Sequence, residues 1–147
     1  MTWLKYDDGP IVLDDLHHRW QREPRSQYDK PRGFWITDDS EQCWRSWCLS
    51  EEFDLDTLTH VHEVELDESR ILFLRSTGEL DDFTREYAGI IITPYQWARR
   101  LELSWYYNWD CASGCIWDVS AILGVHLREI VPIPAARSCD DEQEEAA

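Results

Sequence analysis

The densest concentration of chemically useful residues runs from Trp105 to Trp117. There Trp105, Tyr106, Tyr107 and Trp109 precede a lone carboxylate, Asp110, and the small residues Ala112, Ser113 and Gly114 follow before Cys115, Ile116 and Trp117. Aromatic faces can hold a ring or a sugar. A carboxylate desolvated by such walls can have a shifted pKa, or can place its charge opposite a developing cation. Small residues let a backbone approach a ligand or a neighbouring strand closely. The competing reading makes the aromatics core residues and Asp110 the cap of a turn, and the residues alone leave both open.

Other reactive residues carry less. Five cysteines is an odd number, and Met1 to Pro10 has acidic residues where a secretion signal has an apolar core, so reduced thiols are expected rather than a disulfide framework. Cys43 with Cys48 and Cys111 with Cys115, joined by His60 and His62, invite a zinc site. The cysteine pairs lack the tight, turn-bordered spacing of a zinc ribbon, however. Cys43 and Cys48 read instead as small buried groups on an amphipathic helix, and no metal site is expected. His17 and His18, beside Asp14 and Asp15, read as a solvated helix face, and His60 and His62 as structural residues near a sheet edge. Arg99 and Arg100 could meet a phosphate, against a default of pairing with the abundant carboxylates. No phosphate-cradling glycine loop, serine elbow or paired-helix metal motif is present.

The elements that must position these groups follow from periodicity and punctuation. Thr2 to Tyr6 reads as a strand ending at the Asp7-Asp8-Gly9-Pro10 turn, and Ile11 to Trp20 as a helix. The polar, twice proline-interrupted stretch Gln21 to Pro31 reads as a loop able to cover a pocket. Gly33 to Thr37 is a compact buried strand. A capping box at Asp39 and Gln42 predicts a helix over Ser40 to Glu51, packed through Trp44, Trp47 and Cys48. Thr59 to Leu66 alternates as a strand with His60, His62, Val64 and Leu66 on one face, and Asp67 to Arg70 is expected to turn it into a hairpin with Ile71 to Leu74. Leu80, Phe83 and Tyr87 predict a helix ended by Gly89, followed by the buried strand Ile90 to Ile92. Tyr95 to Leu103 reads as an excursion, and Cys115 to Trp117 and Val125 to Val131 as returns to the sheet.

These elements lack a strict βαβ alternation, which predicts an α+β fold of mainly antiparallel sheets with packed helices. At 147 residues there is room for one core, expected as a single domain over 1–137 with a solvated acidic tail over 138–147. A net charge of −16, from 30 acidic and 14 basic residues, repels phosphate and anionic lipid and disfavours direct nucleic-acid or membrane binding. It either keeps the protein soluble or attracts a basic protein target. No run approaches the roughly 20 apolar residues that span a bilayer, so a cytoplasmic location is expected.

The order of motifs resembles the small ADP-ribosyltransferase-like fold. Trp3 to Tyr6 stands first, then Gly33 to Thr37, a helix, the Val61 to Leu66 and Ile71 to Leu74 strands, Gly89 to Ile92, and Asp110 ahead of Gly114 to Trp117. Lys30 to Thr37 and Trp109 to Trp117 are similar to motifs of several bacterial and phage proteins. The resemblance implies a cleft that holds NAD between two sheets, with Lys5 and Tyr6 at the nicotinamide ribose, Trp35 and Thr37 beside them, Trp109 as a stacking face and Asp110 as the catalytic acid. The family commonly has His or Arg where this chain has Lys5, and Glu where it has Asp110. The implied activity is transfer of ADP-ribose to a macromolecular target. The alternative is a non-enzymatic acidic interaction protein, such as a phage-borne, anti-CRISPR-like inhibitor that imitates nucleic acid to occupy a basic surface of a host defence complex.

Overall fold

The computed structural model describes residues 2–19, 33–74, 87–98, 106 and 109–135. The expected pocket-covering loop, most of the helix expected over Leu80 to Tyr87, Arg99 and Arg100, Trp105, Tyr107 and the acidic tail lie outside the described residues. The chain is an α+β domain built on one mixed seven-stranded sheet. In chain order the elements are β1 (Trp3–Asp7), α1 (Leu13–Arg19), β2 (Phe34–Thr37), α2 (Trp44–Glu51), β3 (His60–Leu66), β4 (Ile71–Leu74), β5 (Gly89–Ile92), β6 (Ser113–Ile116) and β7 (Ile122–Ile130). Short 3-10 turns occupy Leu55–Leu58, Glu68–Arg70 and Val119–Ala121.

Across the sheet the order is β4-β5-β6-β2-β1-β3-β7, antiparallel at every seam except the parallel β4–β5 pair. Both faces are covered, and this accounts for the unbroken apolar run Ile90 to Ile92. Ile91 joins a core with Phe34, Ile36, Ile116, Val64 and Leu16, whereas Ile90 and Ile92 turn to a second, aromatic core of Tyr95, Tyr106, Trp109 and Trp117.

Three expectations are corrected. Asp67 to Arg70 is not a hairpin turn, because both edges of β3 are already taken, by β1 and β7; the chain instead crosses to the open edge of β5. That crossing is pinned by the Asp67 N–H donating to Ala121 C=O at 2.8 Å and by an Arg70–Asp118 ion pair at 2.8 Å. Gly89 ends no helix. It lies in β5, where a Cβ would meet the Cys115 carbonyl oxygen at 2.7 Å, so glycine is what lets β5 and β6 close. The Asp39/Gln42 capping box does not form either: α2 begins at Trp44, and its N-cap, Cys43, makes no side-chain cap bond. Thr37 takes that role from the preceding strand, its Oγ1 accepting from the Trp44 N–H at 2.9 Å.

Candidate functional site

The cleft arises where the sheet is least complete. β1 is paired with β3 along its whole length and β2 with β6 along its whole length, but β1 and β2 meet only at Leu4 and Thr37. Beyond that bridge Lys5–Asp7 and Phe34–Ile36 line a cavity of about 410 Å³ instead of a ladder. Ile11 and Leu16 contribute from the α1 side, Trp44 and Thr57 from the α2 side, and Trp109, Asp110 and Cys111 from the segment ahead of β6. Pockets that enclose small molecules run from roughly 300 to 1,000 Å³, so this one admits an organic ligand rather than a few waters.

The six residues that the resemblance assigned to the dinucleotide site, Lys5, Tyr6, Trp35, Thr37, Trp109 and Asp110, line this one cavity. They serve it differently. Trp109 is almost wholly buried and braces Trp35 edge to face, with ring centroids 4.8 Å apart, so Trp35 offers the more accessible indole surface. The Lys5 ammonium lies 4.9 Å from the centre of the Phe34 ring. Burial, followed by the Cys43 thiol, raises the pKa of the Tyr6 phenol, which stays a neutral donor at physiological pH. The Thr37 hydroxyl is buried and donates to Ala112 C=O at 2.9 Å while accepting from Trp44 N–H, so its single proton is already committed to the protein.

Asp110 sits half-buried between two main-chain anchors. On one side the Tyr95 hydroxyl donates to Trp109 C=O, and the Trp109 N–H donates to Tyr106 C=O at 2.9 Å. On the other, the Ala112 N–H donates to Gln42 C=O at 2.8 Å and Ala112 C=O accepts from Thr37. The Gln42 side chain in turn accepts from Tyr95 N–H at 3.2 Å, and Asp38 binds the Ser40 and Thr93 hydroxyls at 2.7 Å each. β2, the start of α2, Thr93, Tyr95 and the 109–112 segment are thus tied around the carboxylate, the kind of support that holds a side chain in one geometry.

Burial pushes the Cys111 thiol up to about 12, with the Asp110 carboxylate adding to it; burial followed by Asp54 and Asp110 does the same to Cys48. Both are neutral thiols and poor nucleophiles. Among the described residues no group of three or more His, Cys, Asp or Glu side chains is placed to hold a metal ion. His62 is fully buried, with both ring nitrogens engaged: Nε2 accepts from Ile11 N–H at 3.0 Å, and Nδ1 lies 3.2 Å from Lys5 C=O. Because Nε2 must accept, the proton belongs on Nδ1. The imidazole therefore fastens the cavity-lining Ile11 to β1. Trp44, Ile11, Leu16 and Thr57 were not singled out as site residues by sequence reasoning; they lie on or beside helical elements whose periodicity marks a packed face without saying what it packs against.

No protein family, curated protein or solved structure matches this chain. The chain is placed by its own architecture, an α+β domain whose mixed seven-stranded sheet parts at one seam around an aromatic, carboxylate-bearing cavity. Among the described residues no helix is long and apolar enough to cross a membrane.

Proposed function

We propose that the cleft binds NAD and that the protein transfers ADP-ribose to a macromolecular target, with Asp110 as the catalytic carboxylate and Lys5, Tyr6, Trp35, Thr37 and Trp109 as the dinucleotide-binding wall. One observation carries the reading: residues from three distant segments, chosen for NAD chemistry on motif resemblance, converge on a single cavity of about 410 Å³. The chemistry suits these side chains. Oxidised nicotinamide is a cationic ring, which an indole face and a carboxylate both favour. Tyr6 is a neutral hydrogen-bond donor for a ribose oxygen, and Lys5 is the cation among the described lining residues for a phosphate.

In the reaction the bond between the ribose carbon and the nicotinamide nitrogen breaks, and its electron pair leaves with nicotinamide. The ribose gathers oxocarbenium character, which the fixed charge of Asp110 stabilises. An acceptor atom of the target then bonds to the same carbon and gives up its proton to solvent. Asp110→Asn, which keeps the shape of the side chain, is expected to lower nicotinamide release from NAD by about 100-fold or more with an unchanged circular dichroism spectrum. Release at the wild-type rate by the variant, or intact NAD after long incubation of the wild type with basic protein targets, would remove the proposal.

The net charge of −16 favours a second reading, a non-catalytic acidic protein that occupies a basic surface. That reading expects binding to a basic partner that is indifferent to Asp110→Asn.

A further inference from the structure

The cavity continues outward onto an aromatic shelf. Trp44, part of the cavity lining, stacks on Trp47 with ring centroids 5.1 Å apart and planes 15° from parallel. Phe53 meets both edge-on, at 6.1 Å from Trp44 and 5.4 Å from Trp47, yet remains 46% exposed. The chain around Phe53 is bent to put it there. Glu52 and Asp54 on either side adopt left-handed backbone, with φ of 52° and 46°, and the Phe53 N–H returns to Cys48 C=O at 3.0 Å. Left-handed backbone is unfavourable for residues with a side chain, so this turn is held against its local preference. Its result is an exposed Phe53 ring set against the half-buried Trp44 and Trp47, in a stretch that also carries the exposed carboxylates of Glu51, Glu52, Asp54 and Asp56. Between 38 and 57 the sole basic residue is Arg45.

Aromatic rings bordered by carboxylates select among partners. A nucleic acid could stack its bases on the rings, but its phosphates would meet like charge. A guanidinium group satisfies both features, since its plane lies on an indole face while its charge is met by the rim. An ammonium group gains the charge and less of the stacking. We propose that this shelf docks a basic protein segment through arginine side chains laid on Trp44, Trp47 and Phe53. By its continuity with the cavity, the shelf brings that segment to the cleft as the acceptor; this last step alone rests on the NAD reading.

The test is a titration of the full chain, with no dinucleotide present, against a fluorescent Arg-Gly repeat peptide, a Lys-Gly peptide of equal charge and a single-stranded RNA. The arginine peptide should bind several-fold tighter than the lysine peptide, RNA should not bind, and affinity should fall at least about tenfold between about 50 and about 500 mM salt. Trp47→Ala should weaken the peptide roughly tenfold. Because losing an indole can perturb α2, the surface variant Glu51→Gln/Glu52→Gln/Asp54→Asn provides an independent arm: it should weaken binding similarly and flatten the salt dependence. Preference for RNA, equal affinity for the two peptides, no peptide binding at millimolar concentration, or a folded triple variant that binds as the wild type does would overturn the proposal. A chain that releases nicotinamide but ignores the peptide keeps the proposed function and loses this surface; the reverse result keeps the surface and loses the function.

Discussion

The β5–β6 seam and the β1–β2 seam lie in one sheet and are built in opposite ways. β5 and β6 are paired residue for residue from Gly89 and Ile116 to Ile92 and Ser113, so tightly that a Cβ on Gly114 would stand 2.5 Å from Ile91 Cγ1 and 2.6 Å from the Ile90 carbonyl oxygen. β1 and β2 share one bridge and then diverge around open space. Both strands of the open seam are fully paired on their far sides, so the cleft interrupts a ladder only where two completed half-sheets meet. The sheet thereby separates its tasks: the closed seam, with a core on each face, supplies stability, and the open one supplies a concave site with rigid walls.

The sharpest way to break this contrast is to force the closed seam apart. Gly114→Ala is expected to cost about 3 kcal/mol, because the added methyl meets the Ile90 carbonyl oxygen and Ile91 Cα of the β5 backbone, which cannot yield, as well as Ile91 Cγ1. Gly9→Ala is the control, with nothing within 4 Å of the added atom and an expected change within about 0.5 kcal/mol. Urea unfolding midpoints compare the two, and a Gly114→Ala protein as stable as the Gly9→Ala protein would mean that the seam is not close-packed.

A smaller effect is expected at the hinge between the seams. Thr37→Val leaves both Ala112 C=O and Trp44 N–H without their side-chain partner, an expected loss of about 2 kcal/mol. Thr37→Ser keeps the hydroxyl and should recover most of it. If Thr37 acts by positioning Asp110, nicotinamide release should fall for valine and return for serine, while a purely stabilising threonine would lower midpoints in valine without changing release by the folded fraction.

Much of the sheet was legible because its strands are short apolar runs between turn residues. Ile90 to Ile92 and Gly33 to Thr37 announce themselves in this way, and the alternation of Val64 and Leu66 with Glu63 and Glu65 marks β3. Pairing was less legible. Asp67 to Arg70 has the composition of a hairpin turn, and only the prior occupation of both β3 edges prevents one. Asp39 and Gln42 have the spacing of a capping box, but Gln42 is drawn to Tyr95 and the cap falls to Thr37, a partner from a different element. Within the cavity, Asp110 stood out because a lone carboxylate among aromatics is unusual, whereas Trp35 was reached only through the motif resemblance. Trp44 and Leu16 did not stand out, since an apolar helix face looks alike whether it fills a core or walls a cleft. His62 was read as structural near a sheet edge; its fastening of Ile11 to Lys5 depends on a segment some fifty residues away, a separation of 51 that no local pattern carries.

His62 also supplies the gentlest test of how the open seam is held. Its pKa lies below the ordinary 6.5, chiefly because burial penalises the charged ring; the Lys5 carbonyl and the Asp7 carboxylate act in the opposite direction, and His60 and the Lys5 ammonium in the same one. In the window from about 6.5 down to the folded value the unfolded chain binds a proton that the native chain does not. Stability therefore rises with pH through that window and is lost as pH falls, with a slope of at most about 1.4 kcal/mol per pH unit from this group. Asp118, whose carboxyl is held below its ordinary 3.8 first by the Ser120 hydroxyl, loses its contribution only at lower pH, so the two are separable. Urea midpoints between about pH 4.5 and about pH 7 should show the slope in the wild type and a shallower one in His62→Gln, which can still accept from Ile11 N–H but does not titrate. Because Ile11 lines the cavity, ligand affinity should hold while the folded imidazole stays neutral and weaken only as pH falls through its depressed folded pKa, in the wild type alone. Parallel pH profiles for the two proteins would mean that the imidazole is not what holds that wall in place.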